Sequence, residues 1–252
     1  MTYVTCPILR YDPAVVAQKA AAMQLLSDGR FTLGLGAGEN LNEHIVGSRW
    51  PIVGVRHEML GEAVEIIRAL WAGGVTYRGK HFDVESAKVW DLPDNPPPMG
   101  VAVSGRDSCR LAARHADLMI ATEPRTDLGQ MFDEAGGAGK PRVGQIALSY
   151  DPDEQVALER ATDQFRWFTG NWRVNAELPV PASFDAASRT VRETDVATQM
   201  PCGPDVDRHV TGIRKFETAG FTHIALVQVG GDTQERFITW AASDLLPALR
   251  AS

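Results

Sequence analysis

An alternation of short apolar runs with amphipathic stretches constrains this chain more than anything else in it. Apolar runs at 1–6, 31–36, 100–103, 118–121, 143–150 and 223–229 each lead into a segment whose apolar residues recur every three or four positions. That rhythm predicts an α/β fold of parallel strands joined by right-handed helical crossovers. The first crossover is well marked, because Asp12 is a good helix N-cap, Pro13 suits the first helical position, and Asp28-Gly29 closes the pattern. A long helix is expected at 55–71, and further helices at 105–115, 127–135, 153–168, 192–199 and 205–219. Residues 75–95 read as a β-hairpin or meander inserted outside the repeat. Residues 170–190 are irregular, proline-containing and aromatic, as a lid or dimer contact would be, within an insertion near 170–200. All 252 residues are taken as one domain. Six strands leave two architectures open, a doubly wound sheet or a (β/α)8 barrel short by two units. In both, ligands bind at the carboxyl ends of the strands, where Cys6, the glycines before Glu39, Ser104-Gly105, Thr122 and Gln228 fall.

The second strand ends in Gly34-Leu35-Gly36-Ala37-Gly38-Glu39-Asn40-Leu41-Asn42-Glu43. Three alternating glycines remove Cβ atoms where the backbone turns or lies against something flat, and a carboxylate and two amides follow at once. The pattern is not the G-x-G-x-x-G of a dinucleotide-binding domain, since Glu39 stands where its third glycine would be. Packing alone is the other explanation for such a glycine-rich exit.

A net charge of −7 argues against nucleic acid or an acidic membrane as the main partner and points to a small molecule. Cys6, Cys109 and Cys202 are far apart and form no C-x-x-C, which suits a reducing, cytoplasmic setting. No apolar run approaches the roughly 20 residues that span a bilayer. The histidines are scattered, His57-Glu58 is not completed to H-E-x-x-H, and no protein-bound metal is expected.

The runs Arg10-Tyr11-Asp12-Pro13-Ala14-Val15-Val16-Ala17-Gln18 and Gly34 to Glu43, with Ser104-Gly105, Ser149-Tyr150-Asp151-Pro152-Asp153, Cys202-Gly203-Pro204-Asp205 and Gly220-Phe221-Thr222-His223, resemble the luciferase-like oxidoreductases that use coenzyme F420. Within them, the branch containing F420-dependent glucose-6-phosphate dehydrogenase is the most similar. The resemblance implies a TIM-type (β/α)8 barrel, with Met1 falling at the third barrel strand and the first two β/α units lacking. It implies that Glu39 is the catalytic acid/base and that Ala37, Gly38 and Asn42 lie against the cofactor. Cys6 takes the place of a cofactor-contacting threonine, and Tyr3-Val4 that of a bulge with a cis peptide. Gly105, Arg106, Ser108 and Cys109 match the loop and helix start that hold the cofactor's phosphate side. Independently, a helix N-terminus suits an anion. Arg106, Arg110 and Arg114 would form either a basic rail or a solvated face. Thr122 and Arg125 match substrate-binding positions, while Thr198 stands where a phosphate-binding lysine is expected. Trp50, Trp172 and Phe184 are candidates for lining an apolar pocket.

The expected function is hydride transfer between F420 and a small organic substrate. An FMN-dependent monooxygenase and a non-catalytic truncated remnant are the alternatives. The resemblance also implies a homodimer.

Overall fold

The computed structural model describes residues 1–251. The chain forms two compact units, Met1–Ala121 with Asp127–Arg142, and Thr122–Thr126 with the segment from Val143 onward.

In the first unit α1 (Pro13–Leu26) begins as its sequence dictates: the Asp12 carboxylate accepts the Ala14 N–H at 2.8 Å and Pro13 opens the helix. It leads to β1 (Leu33–Leu35), a single turn α2 (Asn40–Glu43) and the long α3 (Val53–Ala72). Trp71 of α3 donates its indole N–H to the Ala17 carbonyl of α1 at 3.0 Å. The expected hairpin is present as β2 (Gly74–Arg78) and β3 (Asp83–Lys88), paired antiparallel. Glu62 of α3 caps its turn, accepting the N–H groups of Lys80, His81 and Phe82 at 2.9, 3.0 and 3.2 Å. The repeat then resumes with β4 (Met99–Ala102), α4 (Arg106–His115), β5 (Leu118–Ala121) and α5 (Thr126–Phe132). Strands β1, β4 and β5 pair in that order, all parallel.

The expected first strand is not a regular one. Thr5 N–H donates to Gly34 O at 2.8 Å and Gly36 N–H to Thr5 O at 3.0 Å, so one bridge to Leu35 is made. The Tyr3–Val4 peptide beside it is cis, and residues 1–6 run along β1 without a continuous ladder.

In the second unit β6 (Arg142–Leu148) precedes α6 (Glu154–Phe165), α7 (Trp172–Asn175), α8 (Pro181–Ala187), α9 (Glu193–Gln199) and α10 (Val206–Thr218). Then come β7 (His223–Gln228), α11 (Gln234–Trp240) and α12 (Leu246–Ala251). β6 and β7 are parallel from Val143↔His223 to Leu148↔Gln228. Residues 170–190 are more ordered than their composition suggests, since Asn171 caps α7 and Pro181 opens α8. Ala157 and Ala161 let α6 approach closely the core of Ala147, Val196, Met200, Cys202 and Val229. Among the described residues no helix is long and apolar enough to cross a membrane.

His209 of α10 is fully buried, packed edge-on against Trp240 at 5.0 Å, with Nε2 2.9 Å from the Gly203 carbonyl. A carbonyl only accepts, so Nε2 carries the hydrogen and Nδ1 keeps a lone pair with no partner among the described residues. Burial, the main cause, and the Arg208 charge hold the imidazole below its ordinary pKa. The unfolded chain therefore takes up a proton first as pH falls. Stability from this group is complete above about pH 6.5 and is lost below it. In denaturant titrations between pH 7 and 5, His209→Gln is expected to flatten that loss; an unchanged slope would contradict it.

Candidate functional site

The glycine-rich exit of β1 packs tightly against the N-terminal segment. A Cβ on Gly36 would stand 2.6 Å from Val4 Cγ2. Gly38 has φ +79°, and a Cβ there would meet Cys6 Sγ at 2.6 Å, Glu43 Cγ at 3.2 Å and the Trp50 ring at 3.3 Å. Only glycine serves both the backbone angle and the space. Gly38→Ala is expected to lose about 1–3 kcal/mol to overpacking, beyond roughly 1 kcal/mol for the left-handed backbone. An unshifted denaturation midpoint would refute this.

Just past Gly38, Glu39 is half-buried and precedes α2, where Asn42 donates its amide to Glu39 Oε2 at 3.1 Å. Burial first, then the neighbouring Glu43 charge, raise the Glu39 carboxyl above the usual carboxylate range. The exit thus joins a carboxyl inclined to hold its proton with a backbone free of side chains. Ala37 and Gly38 are half-buried beside it, and Asn42 is exposed.

Cys6 borders the exit at Gly38; it is 8% exposed, and burial followed by the Glu43 charge pushes its thiol far up. Glu43, which sequence reasoning quoted but gave no role, is the residue it faces. That carboxylate is 0% exposed and accepts the Arg10 N–H at 2.9 Å. Its signal in the sequence was its place one helical turn after Glu39.

At the second strand end, Ser108 Oγ accepts the N–H groups of Ser104 and Gly105 at 3.0 and 3.2 Å and donates to Gly105 O at 2.9 Å. The hydroxyl shapes the loop from within. Cys109 belongs to the core: fully buried, it points its thiol at the Leu128 carbonyl, 3.6 Å away. Gly105 and Arg106 remain at the surface of the helix start, Arg106 with Glu134 at 3.8 Å. Along the supposed rail, Arg110 pairs with Asp107 at 3.5 Å.

In the second unit Thr122 Oγ1 accepts the Trp172 indole N–H at 3.0 Å, and Arg125 lies 3.5 Å from Glu123. Trp172 belongs to an aromatic group with Trp167, Phe168, Phe165 and Phe184. Thr122, Phe168 and Thr198 line a cavity of about 490 Å³ that Lys215 also borders. Gln228, a strand-end candidate, is instead a brace: its amide accepts from Tyr150 N and donates to Tyr150 O, at 2.8 and 3.0 Å.

The family model described as luciferase-like monooxygenase matches residues 2–223. An F420-dependent glucose-6-phosphate dehydrogenase of Beutenbergia cavernae is 35% identical over 99% of this chain and 78% of its own. One from Amycolatopsis mediterranei is also 35% identical, over 99% of this chain and 79% of its own. Among solved structures, an F420-dependent secondary alcohol dehydrogenase in complex with an F420-acetone adduct superposes with a TM-score of 0.87 at 27% identity, over 98% of this chain and 78% of that one. The coenzyme F420 dependent tetrahydromethanopterin reductase from Methanopyrus kandleri shares the fold, with a TM-score of 0.76 at 19% identity over 98% and 82% of the two chains. These likenesses decide between the two architectures left open by the alternation, in favour of the (β/α)8 type. The chain belongs to the luciferase-like family, in its F420-dependent oxidoreductase branch.

Proposed function

We propose that this enzyme moves a hydride between C5 of bound coenzyme F420 and a small organic hydroxyl or carbonyl compound, with Glu39 handling the accompanying proton. The observation that carries the reading is the half-buried Glu39 carboxyl, its proton affinity raised, at a strand exit without side chains. When bound, F420 supplies the hydride donor or acceptor. The residues present suit a flat ring with an anionic tail. Gly36 and Gly38 leave the strand exit bare, Tyr3 and Val4 expose 40% and 38% of their surface beside it, and Arg106 with the start of α4 offers positive charge. Ala37 and Asn42 would complete the cradle, and Gly105 would let the phosphate side approach the backbone.

Glu39 gives its proton to the substrate oxygen as a carbonyl is reduced, or receives it from the hydroxyl as an alcohol is oxidised. Asn42 orients it. Thr122, whose oxygen is occupied as an acceptor by Trp172, still has its own hydrogen to donate, and with Arg125 it is assigned to the substrate.

The test is to titrate the purified chain separately with F420 and with FMN, and to identify the chromophore retained from a host that makes both. Retention of F420 with substrate-dependent bleaching or recovery of its absorbance is the expected result. Retention of FMN alone would overturn the assignment.

A further inference from the structure

Resting on the reading of Glu39 as the proton-handling group, we propose that Glu43 is a positioning residue for it. Its buried carboxylate clamps the glycine exit to the N-terminal segment and sets a second negative charge one helical turn from the first. The main chain fixes their separation, because the Glu39 carbonyl accepts the N–H groups of both Asn42 and Glu43, at 3.0 and 3.1 Å. Glu43 is wholly enclosed, held by the Arg10 N–H and guanidinium and by a hydrogen bond from the Cys6 thiol. Oε2 takes the Arg10 N–H, while Oε1 faces Arg10 Nε at 3.7 Å, and neither of these last two atoms has a hydrogen-bond partner among the described residues.

A clamp alone would not need this charge. Buried ion pairs replaced by neutral groups of similar shape are often no less stable, so a buried carboxylate is a poor structural device. Its effect falls on Glu39. A carboxylate set close to another disfavours its neighbour's ionisation, and Glu39 is the one raised, by burial first and then by the Glu43 charge. The charged and titratable groups facing the pair are Cys6, Arg10 and each other, with the Asn42 amide as a neutral neighbour. Cys6, held as a thiol, adds no charge. Trp50, with Arg56 stacked on its ring at 4.2 Å, borders Gly38 beside Cys6 and Glu43.

The experiment is an NMR titration of the chain carrying carboxyl-labelled glutamate, with the Glu39 resonance assigned by its disappearance in Glu39→Gln. Glu43→Gln is expected to move the Glu39 midpoint down by about half a pH unit or more, and Glu43→Asp, which keeps the charge, to leave it raised. Should Glu43→Gln alone not fold, Arg10→Met combined with Glu43→Gln removes both charges together and is expected to give the same downward move. An unmoved midpoint in either folded variant overturns the proposal. No substrate or cofactor enters this measurement. A Glu39 dispensable for turnover would leave the result standing, and an unmoved midpoint would leave the proposed reaction standing.

Discussion

Glu39→Gln is expected to lower turnover about 10²–10⁴-fold, the usual worth of a positioned acid or base, with the fold and cofactor affinity kept. Glutamine has nearly the same shape and can still accept the Asn42 amide hydrogen that Glu39 Oε2 accepts at 3.1 Å. It cannot exchange a proton. Because burial and Glu43 raise the carboxyl above the usual range, the protonated form persists to higher pH than in an exposed glutamate. In the carbonyl-reducing direction the wild-type rate should therefore fall as pH rises through that raised midpoint, and this limb should vanish from the residual rate of the variant. Single-turnover measurements of F420 absorbance at saturating substrate would show both effects. Near-wild-type turnover in the variant would remove Glu39 from the mechanism.

The largest stability effect is expected at Asp151, just beyond β6. Its side chain is 7% exposed and lies 2.6 Å from Arg160 Nη2, itself 10% exposed, and 3.2 Å from Arg236. Arg160 also donates to the Tyr150 carbonyl at 3.1 Å. Asp151→Ala would leave the Arg160 guanidinium enclosed without its carboxylate, which costs about 3–5 kcal/mol. Asp151→Leu together with Arg160→Met should recover most of the loss, because no buried charge then stands alone. Burial pushes the Asp151 carboxyl up, but the Arg160 hydrogen bond, the Asp153 N–H and the two arginine charges outweigh it and leave it below the ordinary value. Its contribution is thus fully present above about pH 3.9 and is lost as pH falls further. Acid denaturation should show an early component from His209 and a later one from Asp151. Equal urea midpoints for wild type and Asp151→Ala would refute the assignment.

Much of the chain was legible where structure is decided locally. Asp12-Pro13 starts a helix because a short acceptor and a fixed φ suit a first turn whatever surrounds them, and α1 begins there. The alternation of strand and helix patterns located β4, β5, β6 and β7 within one or two residues. The glycine exit declared a close approach because nothing else tolerates missing Cβ atoms at alternate positions. Gly38 has the positive φ and the crowded surroundings that this implies.

Other features do not follow from sequence, each for a reason of packing. Cys6, Cys109 and Gln228 stand near strand ends, and each is buried with a partner distant in the chain. Cys109 finds Leu128, and Gln228 braces Tyr150, 78 residues away. Periodicity reports which face of an element is apolar but not what a polar group on it will meet.

Glu43 marks the same boundary. The sequence alone determined the parallel α/β class, the bare strand exit and the carboxyl that follows it, since these depend on residues adjacent in the chain. Only the tertiary structure decided that Arg10, 33 residues earlier, donates to Glu43, and that a second carboxylate is enclosed behind Glu39. Burial and charge pairing are properties of what surrounds a side chain, and they exist only once distant segments have packed together.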